Sequence, residues 1–164
     1  MNWLRTSLGS VPDGEIPHMF HESVNMSPGE LRAWAKNPWH KLASTSTGLA
    51  SLRRIPGLLE KRISDWTSED YRFARKVLGF NKRHLTGKTH NLFGKPARAG
   101  VPWSKRAIAL KNWGHDPSKS SSPAFEEHRE WLKEHGRKSN PADLKKTPAK
   151  PSERIRGSKR NKKG

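Results

Sequence analysis

The chain contains no cysteine, which excludes disulfides and thiolate metal sites and fits a reducing compartment. Hydrophobic residues are scarce too, at 31% of the 164 residues, against about 45–50% in a typical soluble domain counted with glycine. They concentrate between residues 18 and 117, enough for one compact domain flanked by tails. No apolar run approaches the roughly 18 residues of a membrane span. The opening MNWLRTSLGS lacks the apolar segment of a secretory signal. Strand-like alternation of apolar and polar residues is also missing. Acidic residues are few: fifteen Asp and Glu face thirty-three Lys and Arg, giving a net charge of +18 and a pI near 10.8. Such a surplus is an electrostatic footprint for nucleic acid, although anionic membranes and acidic proteins attract it as well.

What is present centres on residues 67–85, TSEDYRFARKVLGFNKRHL. At 100° per residue this stretch divides into two faces. Tyr71, Phe73, Ala74, Val77, Leu78, Phe80 and Leu85 share one half of the wheel. Arg72, Arg75, Lys76, Lys82 and Arg83 gather on the other. Thr67 is placed to cap the helix with Asp70 three residues on, and Trp66 and Tyr71 are placed as a hydrophobic staple. A solvated helix face normally mixes charge signs, whereas beyond Asp70 this one is wholly positive, which points to a polyanion. Gly79 is the weak point and is able to end the helix at Leu78.

Residues 1–17 read as an irregular lead-in punctuated by Gly9, Pro12, Gly14 and Pro17, with Trp3, Leu4 and Leu8 available to dock but nothing evident to fix them. Residues 18–24 suggest a helical turn or two. Ser27, Pro28 and Glu30 then form a complete helix start, with Met26 and Leu31 as staple, and Asn37-Pro38 ends the element. Residues 48–64 carry Leu49, Leu52, Ile55, Leu59 and Ile63 at helical spacing, with Pro56-Gly57 expected to kink or restart the helix. Residues 86–100 are a loop by composition. Residues 101–117 form the last core helix, opened by Pro102 and closed at Gly114. After a KSSS link, Ser122 and Pro123 start an accessory helix up to Gly136, expected to dock on the core. Residues 137–164 hold eleven basic and two acidic residues with little to bury, and read as a disordered basic arm.

Several catalytic readings fail on spacing. GKT at 87–89 lacks the glycine at position 82 that a phosphate-binding loop requires. His18, His21 and Glu22 run H-x-x-H-E rather than H-E-x-x-H, without a third ligand. His84, His90, His115 and Asp116 would suit a His-Asn-His nuclease only with a β-hairpin, and no strand pattern supplies one. No nucleophile elbow marks a serine. The chain is therefore read as neither enzyme nor metalloprotein, with no cofactor and no small-molecule substrate.

Three stretches, FHESVNMSPGEL, RKVLGFNKRHL and LKNWGHDP, resemble an uncharacterised bacterial and phage protein family whose members are commonly labelled DNA-binding. The resemblance spans about residues 20–117. It implies an all-helical domain and supplies no catalytic residues.

The sequence thus predicts an all-α domain of four to six helices: a lead-in at 1–17, a DNA-binding core at 18–117, a linker and accessory helix at 118–136, and a basic tail at 137–164. The core alone carries a charge of +11, and the chain from residue 118 adds +8, so the positive charge is not confined to a tail. The expected function is DNA binding without sequence preference in the cytoplasm, at the nucleoid. Phosphate contacts are expected from Arg72, Arg75, Lys76, Lys82, Arg83, Lys88, Lys159, Arg160, Lys162 and Lys163. Only Arg72 and Arg75 are placed to read bases in the first turns of the central helix. RNA binding, as on ribosomes, is the runner-up, followed by binding of acidic proteins.

Overall fold

Among the described residues six α-helices carry the fold: α1 (Ile16–Ser23), α2 (Pro28–Lys36), α3 (Ser46–Glu60), α4 (Ser68–Thr86), α5 (Lys105–Asn112) and α6 (Phe125–His135). The computed structural model describes residues 3–43, 45–86 and 94–135. Short 3₁₀ turns cover Leu8–Ser10, Asp13–Glu15, Pro38–Ala43 and Ile63–Asp65. Among the described residues no strand occurs, only an isolated bridge between Pro96 and Ser104. The all-α class predicted from periodicity is the class observed.

α4 is the axis of the assembly, and its local chemistry explains its start. The Asp70 N–H donates to Thr67 Oγ1 at 3.3 Å and the Thr67 N–H donates to Asp70 Oδ2 at 2.8 Å, a reciprocal cap. The Trp66 and Tyr71 rings meet edge to face at 5.3 Å, completing the staple. Gly79 does not end the helix, which runs on to Thr86. Glycine in a helix interior costs about 1 kcal/mol. Burial of Phe73, Ala74, Val77 and Leu78 around it exceeds that several times, at about 1.5–3 kcal/mol for each large side chain.

The same balance operates in α3. Pro56 removes a backbone donor, at about 3 kcal/mol. Yet the helix is continuous from Ser46 to Glu60, because Leu52, Ile55, Pro56 and Leu58 are all buried. Of the kink or restart expected at Pro56-Gly57, the restart does not occur. α2 starts as the sequence suggests, with the Glu30 N–H donating to Ser27 Oγ at 3.1 Å. The Glu30 carboxylate instead turns outward to Lys119 Nζ at 2.5 Å. α5 is shorter than expected. Ser104 caps it by accepting the Ala107 N–H at 3.1 Å, so Pro102 and Trp103 precede the helix.

The end of α5 is fixed twice over. The His115 N–H donates to Leu110 O at 2.9 Å and the Gly114 N–H to Lys111 O at 3.0 Å, closing a Schellman motif. Gly114 takes φ +84°, and a Cβ there would lie 2.9 Å from Val24 Cγ1. Only glycine meets both demands.

α1 packs on α4, α2 on α3, and α5 on the Pro38–Ala43 turn. One large core joins Phe20, Leu31, Leu52, Ile55, Val77, Leu78 and Ile108. α6 docks through a smaller cluster of Ala107, Ala124 and Trp131, with Trp131 Nε1 donating to Gly94 O at 2.6 Å. The lead-in expected to be loose and irregular through residue 17 instead holds two 3₁₀ turns and the start of α1 at Ile16. Trp3 and Val11 are buried in the main core, and Leu4 and Leu8 pack against it. Residues 3–13 thus form a strap along α4.

Candidate nucleic-acid interface

With its apolar side held by the core, α4 presents a fixed outer side. Arg72, Lys76 and Arg83 are exposed there. Their spacing of four and seven residues places them, with Gly79, in one row along the helix. Arg75 and Lys82 lie beside that row and are engaged differently. One guanidinium nitrogen of Arg75 donates to Leu8 O at 2.8 Å, and the other donates to Val11 O and to Asp13 Oδ1, both at 2.7 Å. Lys82 Nζ donates to Thr6 O. The five cations grouped by the helical wheel therefore split into three facing solvent and two holding the strap. Lys88, Lys159, Arg160, Lys162 and Lys163, with residues 137–164 as a whole, lie outside the described residues.

The carboxylates sort the remaining cations. Arg72 pairs with Glu69 on the same helix. Asp70 takes Lys61 at 2.6 Å and Arg54 at 3.5 Å. The Lys61 hydrogen bond and the capping Thr67 N–H hold its carboxyl down to about 2. Arg32 pairs with Glu60, and Arg62 with Asp65 at 3.1 Å. Lys76 and Arg83 are exposed with no carboxylate partner among the described residues. Both stand on a helix whose opposite side is buried in the core.

Other polar groups are committed to structure. Asn81 sits on the buried side of α4 and donates to Ser23 Oγ at 2.9 Å and Trp113 O at 3.2 Å. His115 lies between Ser23 O and Ser122 Oγ, each at 2.7 Å. The carbonyl only accepts, so Nδ1 carries the proton and Nε2 accepts from the serine. A serine–histidine contact is the beginning of a nucleophilic dyad. Here, however, both residues are sealed from solvent, and Ser122 Oγ also accepts the Ala124 N–H at 3.1 Å. It is a strut. Asn112 bridges Trp34 Nε1 at 2.8 Å and His40 O at 3.0 Å. The three stretches that carry the resemblance supply Ser23, Asn25, Asn81, Asn112, Trp113, His115 and Asp116, and they converge on this clasp rather than on an open site.

Lys111 is buried between the Trp34 and Trp103 rings, 4.0 and 3.9 Å from their centroids, with Asp116 at 4.0 Å. Burial lowers its pKa, and Asp116 opposes the shift. An open cleft of about 370 Å³ is lined by Val24, Met26, Pro28, Glu30, Leu59 and Lys119. Its two charges, Glu30 and Lys119, are paired with each other. His18 pairs with Glu22 at 3.2 Å across one helical turn. No group of three or more metal-ligating side chains occurs among the described residues, and none of their helices is long and apolar enough to cross a membrane.

The periodicity of α4 was legible in the sequence. The clasp was not, although Asn81 at a core position of an otherwise apolar face was an available signal. No curated protein and no solved structure matches the chain. Residues 19–99, which begin within α1 and include α2, α3 and α4, match the family model described as a protein of unknown function (DUF3140).

Proposed function

We propose that the protein binds DNA without sequence preference, laying the exposed row of α4 against the phosphate backbone. The observation that carries this reading is the pairing state of Lys76 and Arg83: exposed, without a carboxylate partner among the described residues, on a helix whose opposite side is fixed in the core. Arg72 joins them when phosphate replaces Glu69. The net charge of +18 supplies the long-range attraction, and the basic residues beyond 136 add further contacts. This reading agrees with the label implied by the resemblance of the three stretches, and with it goes the proposal of a cytoplasmic, nucleoid-associated protein.

The test is a salt series on a 20-base-pair duplex. A contact set of about six phosphates gives a slope of log affinity against log salt near −5, with dissociation constants of about 10⁻⁴–10⁻⁶ M at physiological salt. Lys76→Gln with Arg83→Gln is expected to make the slope shallower by about 2 on every duplex alike. Unchanged affinity and slope in this folded double variant would refute the reading. Tighter binding to structured RNA at equal salt would reassign the partner.

A further inference from the structure

We infer that the N-terminal strap is a fixed wall of the DNA-binding face, that Arg5 on it is a further phosphate contact, and that Arg75 and Lys82 are positioning residues that hold the wall in place. The inference rests on the DNA-binding reading and extends it to residues outside α4.

The strap follows α4 closely. Thr6 accepts from Lys82, Leu8 and Val11 accept from Arg75, and Asp13 pairs with Arg75. Gly79 is where strap and row touch. A Cβ there would lie 3.9 Å from Leu8 Cδ1 and 3.7 Å from an Arg83 guanidinium nitrogen. Arg5 is exposed and directly precedes Thr6, whose carbonyl Lys82 holds, so its backbone lies near the end of α4 marked by Lys82 and Arg83.

Two arrangements compete. In one, DNA displaces the strap and takes Arg75 and Lys82 as phosphate contacts. In the other, the strap stays and these two cations never meet DNA. Displacement would return the buried Trp3 and Val11 to water and break four hydrogen bonds. The gain would be two screened contacts to phosphate, which weaken further with salt. The magnitudes favour the strap staying. Arg75 is suited to such a role because its planar fork reaches two carbonyls and a carboxylate from two separate nitrogens, a span that the single nitrogen of an ammonium does not have.

The experiment uses the full chain and the same 20-base-pair duplex over a salt series. Arg5→Gln should make the slope shallower by about 1 with an unchanged melting temperature. Arg75→Lys keeps the charge and removes the fork. It should lower the melting temperature, speed amide exchange at Ser10 and Val11, whose N–H groups bond within the strap, and cost the same unit of slope. The two changes combined should do no more to binding than Arg75→Lys alone, because both act through the strap. In the wild-type complex those amides should stay protected. Faster exchange of the strap on adding duplex, full binding by Arg75→Lys, or additive effects of the two changes would overturn the inference. Should Arg75→Lys fail to fold, Arg5→Gln and exchange in the wild-type complex still decide. Absence of duplex binding by the wild-type chain would refute the DNA-binding reading itself, a separate outcome seen before any variant is made.

Discussion

Asn25 and Asp116 are bonded to each other twice across 91 residues of sequence: Asn25 Nδ2 donates to Asp116 O at 2.9 Å, and the Asp116 N–H donates to Asn25 Oδ1 at 2.6 Å. An amide side chain carries a donor and an acceptor side by side, and so matches a backbone carbonyl and N–H together. The contact locks the turn after α1 to the turn after α5. Lys119 Nζ adds a third tie to Asn25 O at 2.7 Å.

Asn25→Ala should therefore destabilise by about 1–3 kcal/mol, since it leaves a part-buried donor and acceptor without partners. Asn25→Asp should do at least as much harm, because a carboxylate cannot donate to Asp116 O. Chemical denaturation checks both, and a change under about 0.5 kcal/mol would remove this contact from the clasp.

Gly79 inside α4 and Gly114 just past α5 should respond to substitution in opposite directions. Gly79 has ordinary contact distances around an added Cβ, so Gly79→Ala is expected to stabilise by up to about 1 kcal/mol through helix propensity. Gly114→Ala meets φ +84° and a contact of 2.9 Å with Val24 Cγ1. It should destabilise by several times that amount, about 2–4 kcal/mol. Thermal melts of both variants test the pair, and equal signs would contradict the packing described at one of them.

Acid should weaken the fold in two stages. Burial against Trp103 and Trp131 holds His128 down to about 4 from 6.5, with Asp116 opposing and Lys111 reinforcing the shift. Burial lowers His115 and His84 in the same direction. The unfolded chain binds these protons first, so the histidine contribution is complete above about pH 6.5 and is lost as pH falls toward 4. Asp70 is lowered to about 2 from 3.8. Its contribution holds above about pH 3.8 and is lost as pH falls toward 2. Melting temperature against pH should show both windows. His128→Gln should flatten part of the upper one and leave the lower. An unaltered upper window in that variant would mean that His128 does not titrate with folding.

The sequence made α4 legible because a period of 3.6 places its apolar residues on one side whatever they pack against, and capping chemistry acts within four residues. Ser27 and Thr67 were recognisable as starts for the same reason, whereas α6 begins at Phe125, after the turn at Ser122 and Pro123 where a start was expected. Pro56 and Gly79 misled because propensity is a local cost, while the burial that overrides it comes from distant partners such as Phe20 and Ile108.

By itself the sequence determined the helical class, the placement of charge and the facing of α4, since these depend on spacing and composition alone. Tertiary structure decided which cations remain available. On a helical wheel Arg75 and Lys82 fall beside the row of Arg72, Lys76 and Arg83 on the same basic side, and only the path of residues 3–13 assigns them to carbonyls and Asp13. The clasp of Ser23, Asn25, Asn81, His115 and Asp116 joins segments up to 92 residues apart. Its hydrogen bonds become strong only once packing has excluded water around them. Local sequence fixes where a side chain points along its own helix, and the chain that arrives beside it fixes what that side chain is left free to bind.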